Sequence, residues 1–280
     1  MIDSLNSKLV YWVAGSTGAV GRNIVEHLSG ANSRVVTISR ELNIINESEV
    51  SNFNNVLIIC SGWAPPREDD PEKLVEGNIL YLRKLLISLS KISFSHIFYL
   101  STVSVYGKIT EPWLSETTPY RNPDLYGLSK LMGEKIVLSF NKKSHIFVLR
   151  LPGVVGSGVT NAWIYKAHQK IKNSEEIILK TINTKFNNII CTKDIANLII
   201  HISNRNLKSQ IRDVFNVCSS SPVDIRILLK EMIKLLGSRS KINELSSIDS
   251  FAIDYSKISL QTGFQFLSVN EVVLEMVGLR

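Results

Sequence analysis

Short apolar runs alternate with longer amphipathic segments through the first half of the chain. The runs are rich in β-branched residues and have the length of strands; they lie at 9–14, 34–39, 56–60, 97–100 and 146–151. The segments between them carry apolar residues every three or four positions, which is typical of amphipathic helices and is clearest at 20–28, 79–89 and 125–140. Strands and helices that alternate in this way predict an α/β fold with a doubly wound parallel sheet covered on both faces.

Two regions depart from this alternation. Residues 41–55 are too few for a full crossover, so we expect only a minimal strand near 42–45 and a turn or two of helix. After Pro152 the pattern becomes irregular, which predicts a smaller lobe built from the carboxyl-terminal half.

A glycine-rich turn joins the first strand to the first helix. Glycine spacing of this type serves a tight turn, a close backbone approach to a pyrophosphate, and helix–strand packing. The amino terminus of the helix then offers free N–H groups to the phosphates. A tight turn without a ligand is the alternative, but the position between a strand and a helix favours dinucleotide binding by the segment Gly15, Ser16, Thr17, Gly18, Ala19, Val20 and Gly21.

The end of the second strand bears on the choice of dinucleotide. Folds that bind NAD usually place an acidic residue there for the ribose hydroxyls, whereas a guanidinium matches the 2′-phosphate of NADP. Ser39 and Arg40 occupy the position, and Glu41 follows one residue later as the acidic alternative. The pattern favours NADP(H) over NAD(H).

Composition narrows the class of protein. The 280 residues are 44% hydrophobic and 20% charged, as in an ordinary globular protein, and the net charge is +7. The basic residues are spread along the chain without the clusters of a nucleic-acid footprint, so we expect no nucleic-acid partner. Three widely spaced cysteines, no metal spacing among the five histidines, no leader and no membrane-length apolar run predict a cytoplasmic protein without a metal or membrane association.

The segment YGLSK places Tyr126 and Lys130 on one face of a predicted helix. A lysine ammonium close to a phenol lowers the pKa of the phenol, which can then exchange a proton with a substrate oxygen near neutral pH. A solvated helix face is the alternative interpretation of this spacing.

These motifs together resemble the extended short-chain dehydrogenase/reductase family, of the NAD(P)-dependent epimerase/dehydratase type. GSTGAVG, STVSVYG and YGLSK occur in the family's order and at its separations, and further matches extend the resemblance over nearly the whole chain. The resemblance implies a Rossmann-type fold with a smaller carboxyl-terminal substrate lobe. It assigns 1–153, with 187–220 returning to it, to a dinucleotide-binding domain, and 154–186 and 221–280 to the lobe.

The resemblance also implies site residues. Thr102, four residues before Tyr106, corresponds to the hydroxyl that binds the reacting oxygen; Tyr126 corresponds to the acid/base, and Lys130 to the residue that holds the nicotinamide ribose. Further cofactor contacts are expected from the segments that match the family beside the nicotinamide and after the strand at 56–60, namely Cys60, Ser61, Gly62, Asn78, Pro152, Gly153 and Val154.

The two residues after Thr102 distinguish the chemistries of the family. Dehydratases, decarboxylases and epimerase-reductases of the family place acidic or cysteine residues there, and this chain has Val103 and Ser104. Hydride transfer at a carbonyl remains, so the sequence favours an NADPH-dependent reductase of a 4-keto-6-deoxy sugar. An NAD-dependent 4-epimerase is the alternative, and a cofactor-sensing module without catalysis is a further one.

The substrate is expected to be a small molecule, with a nucleotide sugar favoured by the resemblance. Asn161 falls where the family contacts the diphosphate, but the family's second diphosphate anchor, an arginine, is replaced by Asn187. Lys185 offers a charge nearby, and Ser104 is a further candidate contact beside Thr102. A lipid-linked or small aldehyde or ketone is the alternative substrate. The resemblance also implies a homodimer formed by the helices at 78–89 and 125–140.

Overall fold

The computed structural model describes residues 9–31, 33–42, 54–64, 70–140, 143–179, 185–245 and 251–278. In chain order the strands are β1 (Leu9–Ala14), β2 (Arg34–Ile38), β3 (Asn54–Ile59), β4 (Phe94–Thr102), β5 (Trp113–Leu114), β6 (His145–Leu151), β7 (Gly153–Val155), β8 (Ile177–Leu179), β9 (Ile189–Cys191), β10 (Arg212–Asn216), β11 (Ile242–Glu244) and β12 (Ala252–Ile253). The helices are α1 (Ala19–Gly30), α2 (Pro71–Val75), α3 (Tyr81–Ser88), α4 (Leu125–Ser139), α5 (Trp163–Lys172), α6 (Thr192–Ser203), α7 (Ile225–Leu235), α8 (Ser256–Thr262) and α9 (Val269–Met276).

Six parallel strands form the central sheet in the order β10-β6-β4-β3-β1-β2. Alternate side chains of β1 enter opposite faces: Tyr11 and Val13 join the core that includes α1 and α6, and Trp12 joins the core that includes α3. Helices therefore cover both faces, which confirms the predicted α/β, Rossmann-type doubly wound sheet.

A separate apolar core lies in the carboxyl-terminal half. It gathers residues from α5, α7 and α9 and from the short strands β7, β8 and β9, among them Ile171, Leu229 and Val272. Ile258 and Phe266 pack instead against the core of the central sheet, although they fall within the segment 221–280. The division of the chain into the two predicted units stays a prediction.

Two elements differ from the sequence prediction. β4 continues through Ser101 and Thr102, because both polar side chains are buried and bonded within the fold. The helix expected to begin near Asn78 begins instead at Pro71, after the Asp70 side chain accepts a hydrogen bond from the Lys73 N–H. The strand predicted near 42–45 lies outside the described residues apart from Leu42.

None of the helices in the described ranges combines the length and the apolar character needed to cross a membrane.

An imidazole is buried near the amino end of β4. His96 is 5% exposed, stacks on His145 with ring centroids 5.0 Å apart, and contacts the Ser95 hydroxyl through Nδ1 at 3.0 Å. Its Nε2 atom has no hydrogen-bond partner among the described residues. Burial lowers the pKa of His96 to about 4, and the neighbouring His145 acts in the same direction.

We expect this histidine to make the fold sensitive to acid. At pH values between the ordinary histidine pKa near 6.5 and the folded value of about 4, His96 is protonated in the unfolded chain but neutral in the folded chain. Stability is therefore lost as the pH falls through this window, by about 2.5 kcal/mol at pH ~4.5. Urea unfolding at neutral and acidic pH measures the loss, which should be smaller by this amount in His96→Phe. An equal loss in both proteins would contradict the assignment.

Candidate active site

The turn between β1 and α1 contains two glycines that the protein's own backbone requires. Gly15 has φ 87°, and a Cβ on it would lie 2.5 Å from the backbone nitrogen of Ser61. A Cβ on Gly21 would lie 2.2 Å from the carbonyl oxygen of Gly15. Both positions therefore exclude any side chain whether or not a ligand is bound.

Gly18 differs from its two neighbours in the motif. A Cβ there would meet only the Gly15 carbonyl oxygen at 3.5 Å, an ordinary contact. Gly18 is the N-cap of α1; no side chain caps the helix, and its first turn has no acidic residue. The space in front of this helix amino terminus, which any longer side chain would enter, fits the pyrophosphate of a dinucleotide.

A large cavity of about 720 Å³ lies beyond the carboxyl ends of β2 and β3. Arg40 from the end of β2 lines it together with Lys84 and Tyr81 from α3. Its volume suits the adenosine half of a dinucleotide. The Arg40 guanidinium can bind an anionic group, although the lining contains two carboxylates beside its three cations. The other described residues that line it are Ser61, Gly62, Trp63, Glu72, Lys73, Glu76, Gly77 and Leu80.

A smaller cavity of about 190 Å³ brings the predicted catalytic residues together. Thr102 from the end of β4 lines it with Tyr126 and Lys130 from α4. Of the predicted cofactor residues, it is also lined by Val20, Cys60, Ser61, Gly62, Asn78, Pro152 and Val154. Ser61, Gly62 and Trp63 line both cavities, so the loop after β3 connects them.

Thr102 and Tyr126 line the smaller cavity together, and their hydroxyls interact with each other. The Thr102 Oγ1 atom accepts a hydrogen bond from the Ser104 N–H at 3.2 Å and donates to the Ser104 hydroxyl at 3.2 Å. Burial raises the pKa of Tyr126 to about 12, and a hydrogen bond with Thr102 opposes this shift. The direction is opposite to the predicted lowering by Lys130, because desolvation of the phenol outweighs the other influences.

Lys130 is buried and 4% exposed. Burial lowers the pKa of its ammonium to about 7, and the carboxylate of Glu134 and the Cys60 thiol act against that shift. Burial in turn raises the pKa of the Cys60 thiol to about 12, so it stays protonated at neutral pH.

Asn78 fixes the loop that joins the two cavities. It lies in a π-helical segment, Glu76–Leu80, and π segments often occur at functional sites. Its side-chain oxygen accepts from the Trp63 N–H at 2.7 Å, and its Nδ2 donates to the Trp63 carbonyl at 2.9 Å and to the Ser129 hydroxyl at 2.9 Å. This pairing holds the loop after β3 against α4.

A buried ion pair lies directly behind the smaller cavity. The Arg150 guanidinium donates to both carboxylate oxygens of Glu134, at 2.9 Å and 2.7 Å, and to the Tyr120 hydroxyl at 2.6 Å. The Ser101 hydroxyl donates to the same carboxylate at 2.6 Å. The pair therefore joins β4, α4, β6 and the segment before α4 next to Thr102 and Lys130.

Several predicted residues lie apart from the two cavities as the described residues define them. Ser39 is exposed after β2, Gly153 is on β7, and Ser104 reaches the site only through Thr102. Asn161 is exposed before α5, and the Lys185 ammonium lies over the Trp113 ring at 5.2 Å. The cofactor contacts of Ser39 and Gly153 stay predictions, and so do the substrate contacts of Ser104, Asn161 and Lys185.

Asn187, at the position of the family's arginine, is an internal residue. It is 0% exposed, and its side chain exchanges two 2.8 Å hydrogen bonds with the backbone of Ile253. It anchors β12, so a diphosphate anchor at this position is absent from the described structure.

Sequence reasoning missed residues that lie between the recognised motifs. Neither Trp63, which lines both cavities, nor Lys84, which lines the larger one, was among the predicted site residues. Arg150 was not among the predicted site residues either. A charged residue inside the apolar run IFVLRL is nevertheless a signal for a buried ion pair.

Comparison with known proteins agrees with this arrangement. The model of the NAD dependent epimerase/dehydratase family matches residues 11–218, and the chain therefore belongs to that family of NAD(P)-dependent enzymes. No curated protein matches the sequence.

Solved structures of low sequence identity share the fold. The UDP-glucuronic acid 4-epimerase from Bacillus cereus in complex with NAD superposes with a TM-score of 0.78 at 18% identity, over 95% of this chain and 96% of that one. The UDP-N-acetylglucosamine 4-epimerase from the same organism gives 0.75 at 20% identity, over 96% and 100%. RMD from Pseudomonas aeruginosa complexed with NADPH gives 0.76 at 18%, over 96% and 95%.

Proposed function

We propose that this protein reduces a keto group on a nucleotide-linked 4-keto-6-deoxy sugar, with NADPH as the source of hydride. The observation that carries the proposal is the convergence of Thr102, Tyr126 and Lys130 on one small cavity. The described residues that line it include no carboxylate and no imidazole, and its thiol is held protonated. Dehydration and α-proton abstraction need an acid–base pair of that kind, whereas hydride transfer needs only one proton donor.

Each catalytic residue has a role that its geometry supports. When bound, the nicotinamide supplies the hydride. The Thr102 hydroxyl binds the substrate carbonyl oxygen, and Tyr126 gives its phenolic proton to that oxygen as negative charge develops on it. The Lys130 ammonium holds the nicotinamide ribose and stabilises the phenolate that the Tyr126 proton leaves behind.

The protonation state of Tyr126 suits the role of proton donor that reduction requires. Burial raises the pKa of Tyr126 to about 12, so the phenol is protonated at neutral pH. Reduction begins from the protonated phenol. An epimerase must first oxidise an alcohol, which needs Tyr126 as a base. Two of the structures of similar fold are 4-epimerases, and one of these is in complex with NAD, which supports the alternative of an NAD-dependent 4-epimerase.

A substrate screen tests the proposal. NADPH oxidation is followed at 340 nm against a panel of nucleotide-linked 4-keto sugars, with lipid-linked ketones and small aldehydes as comparison substrates. We expect turnover with a 4-keto sugar nucleotide and none with the others. Interconversion of two sugar nucleotides with tightly bound NAD and no net oxidation would identify the epimerase instead.

Arg40 is the residue that we propose for recognition of the 2′-phosphate of NADPH. Charge-assisted hydrogen bonds of a guanidinium to phosphate contribute about 1.5–3 kcal/mol, so we expect Arg40→Leu to weaken NADPH binding about 10- to 100-fold. NADH binding should change by less than about threefold, because NADH has no phosphate at this position.

Fluorescence titration with both cofactors measures the two constants. Arg83→Leu is the matched control, because Arg83 is exposed on α3 but does not line the cavity. An equal loss of NADPH and NADH affinity in Arg40→Leu would contradict the assignment.

The remaining expectations become part of the same proposal. Thr102, Ser104, Asn161 and Lys185 contact the substrate, and the segments 154–186 and 221–280 form its lobe.

Exposed apolar residues on α4 and on the helix before it support a homodimer: Leu80, Ile87, Leu128 and Met132 are 47–60% exposed. Three free thiols fit a reducing compartment, and we place the protein in the cytoplasm.

A further inference from the structure

The Lys130 ammonium lies on an aromatic ring. Its Nζ atom is 4.1 Å from the centroid of Tyr99, a residue of β4 that is 1% exposed. In the part of the chain that the structure describes, this ammonium donates no hydrogen bond to a side chain or carbonyl and forms no ion pair. The carboxylate of Glu134, one helical turn away, is already engaged by Arg150 and Ser101.

A buried ammonium without a partner is unfavourable, and the face of an aromatic ring offsets part of that cost. The ionisable groups that act on the charge of Lys130 are the Glu134 carboxylate on α4 and the Cys60 thiol after β3, and Glu134 and Tyr126 act on Tyr99. Tyr99 is therefore the contact that fixes where the ammonium lies.

The Tyr99 ring can take this place because α4 has a glycine opposite it. A Cβ on Gly133 would lie 2.2 Å from the Tyr99 hydroxyl oxygen and 3.0 Å from the adjoining ring carbon. The hydroxyl itself has no hydrogen-bond partner among the described residues. The ring, and not the hydroxyl, is thus the part of Tyr99 that serves the site.

We propose that Tyr99 is a positioning residue whose ring face seats the Lys130 ammonium and keeps it charged and aimed into the smaller cavity. The functional part of this inference rests on the proposed function, since Lys130 acts there on the nicotinamide ribose and on Tyr126. The structural part, an ammonium seated on a ring, can be measured in the protein without substrate.

Nuclear magnetic resonance of protein labelled with ¹³C-lysine tests the seat directly. Lys130→Met assigns the Lys130 resonance by its disappearance. The ring current should move the Lys130 methylene protons upfield of those of the other lysines, and Tyr99→Phe should retain this shift. Tyr99→Leu should remove it and lower the pH at which Lys130 titrates by about 0.5–1 unit, as the loss of a cation–π contact predicts.

Two results would overturn the proposal. One is a Lys130 resonance in the wild-type protein without an upfield shift, which needs no variant and so does not depend on folding of Tyr99→Leu. The other is an unchanged titration in a folded Tyr99→Leu protein, which would make Tyr99 a core residue only.

The pH profile of kcat/KM extends the test to turnover. The alkaline limb should move to lower pH in Tyr99→Leu and stay in place in Tyr99→Phe. If the spectra show the Lys130 ammonium on the Tyr99 ring while none of the screened substrates is reduced, the proposed function is wrong and the contact between Lys130 and Tyr99 is retained. If reduction occurs and the alkaline limb of its pH profile is the same in Tyr99→Leu as in the wild-type protein, the positioning role of Tyr99 is wrong and the proposed function is retained.

Discussion

Replacing Tyr126 by phenylalanine is expected to lower kcat by about 10²- to 10⁴-fold, the contribution of a positioned proton donor. The phenol is the group that can give a proton to a carbonyl oxygen bound by Thr102, and the described lining of the smaller cavity offers no carboxylic acid or imidazole to replace it. Affinity for NADPH should stay within about threefold, since the ring and its packing remain.

Tyr106→Phe is the matched control for this substitution. Its hydroxyl donates to the Asn216 side chain at 2.8 Å, outside the cavity, so its removal should cost about 1 kcal/mol of stability and leave kcat nearly unchanged. Single-turnover kinetics with each variant separate the hydride step from binding. Full activity of Tyr126→Phe would favour the cofactor-sensing module over an enzyme.

Glu134→Gln should destabilise the fold by about 3–5 kcal/mol, because it leaves the Arg150 charge buried without a counter-charge. The two side chains are 1% and 2% exposed, and the carboxylate also accepts from Ser101. Denaturant unfolding measures the loss. The exposed pair Arg121–Glu111 provides the control, since Glu111→Gln should cost less than about 1 kcal/mol.

A double substitution distinguishes the contribution of the charges of Glu134 and Arg150 to stability from the contribution of their packing. In Glu134→Gln with Arg150→Met, both charges are gone, so the combined loss should be smaller than the sum of the two single losses. Additive losses would show that Arg150 and Glu134 act through packing and not through their pairing.

The apolar runs predicted the central sheet because its strands are buried on both faces and therefore carry continuous apolar sequence. They could not predict the end of β4, where two polar residues are buried. Ser101 bonds to Glu134, 33 residues further along the chain, and Thr102 bonds to Ser104 in the turn that follows the strand. The beginning of the helix at Pro71 was missed for a related reason: its signal was the capping side chain of Asp70 and not an apolar repeat.

The candidate site divides in the same way. Tyr126 and Lys130 are one helical turn apart, so their spacing alone places them together, and the match at Thr102 brings a third residue to them. The seat of Lys130 on Tyr99 and the pair of Glu134 with Arg150 join residues that are 31 and 16 positions apart. A periodic sequence pattern does not predict such contacts, because they depend on the order of the strands in the sheet and on the register between them.

The three glycines of the β1–α1 turn carry unequal information about descent. Gly15 and Gly21 are held by contacts within the turn, so a descendant that had lost its cofactor would still keep them in order to fold. Gly18 is held by no such contact, and in that descendant it would be the first of the three to change. Of the three glycines, Gly18 is therefore the one whose presence in this chain indicates that a nucleotide is bound.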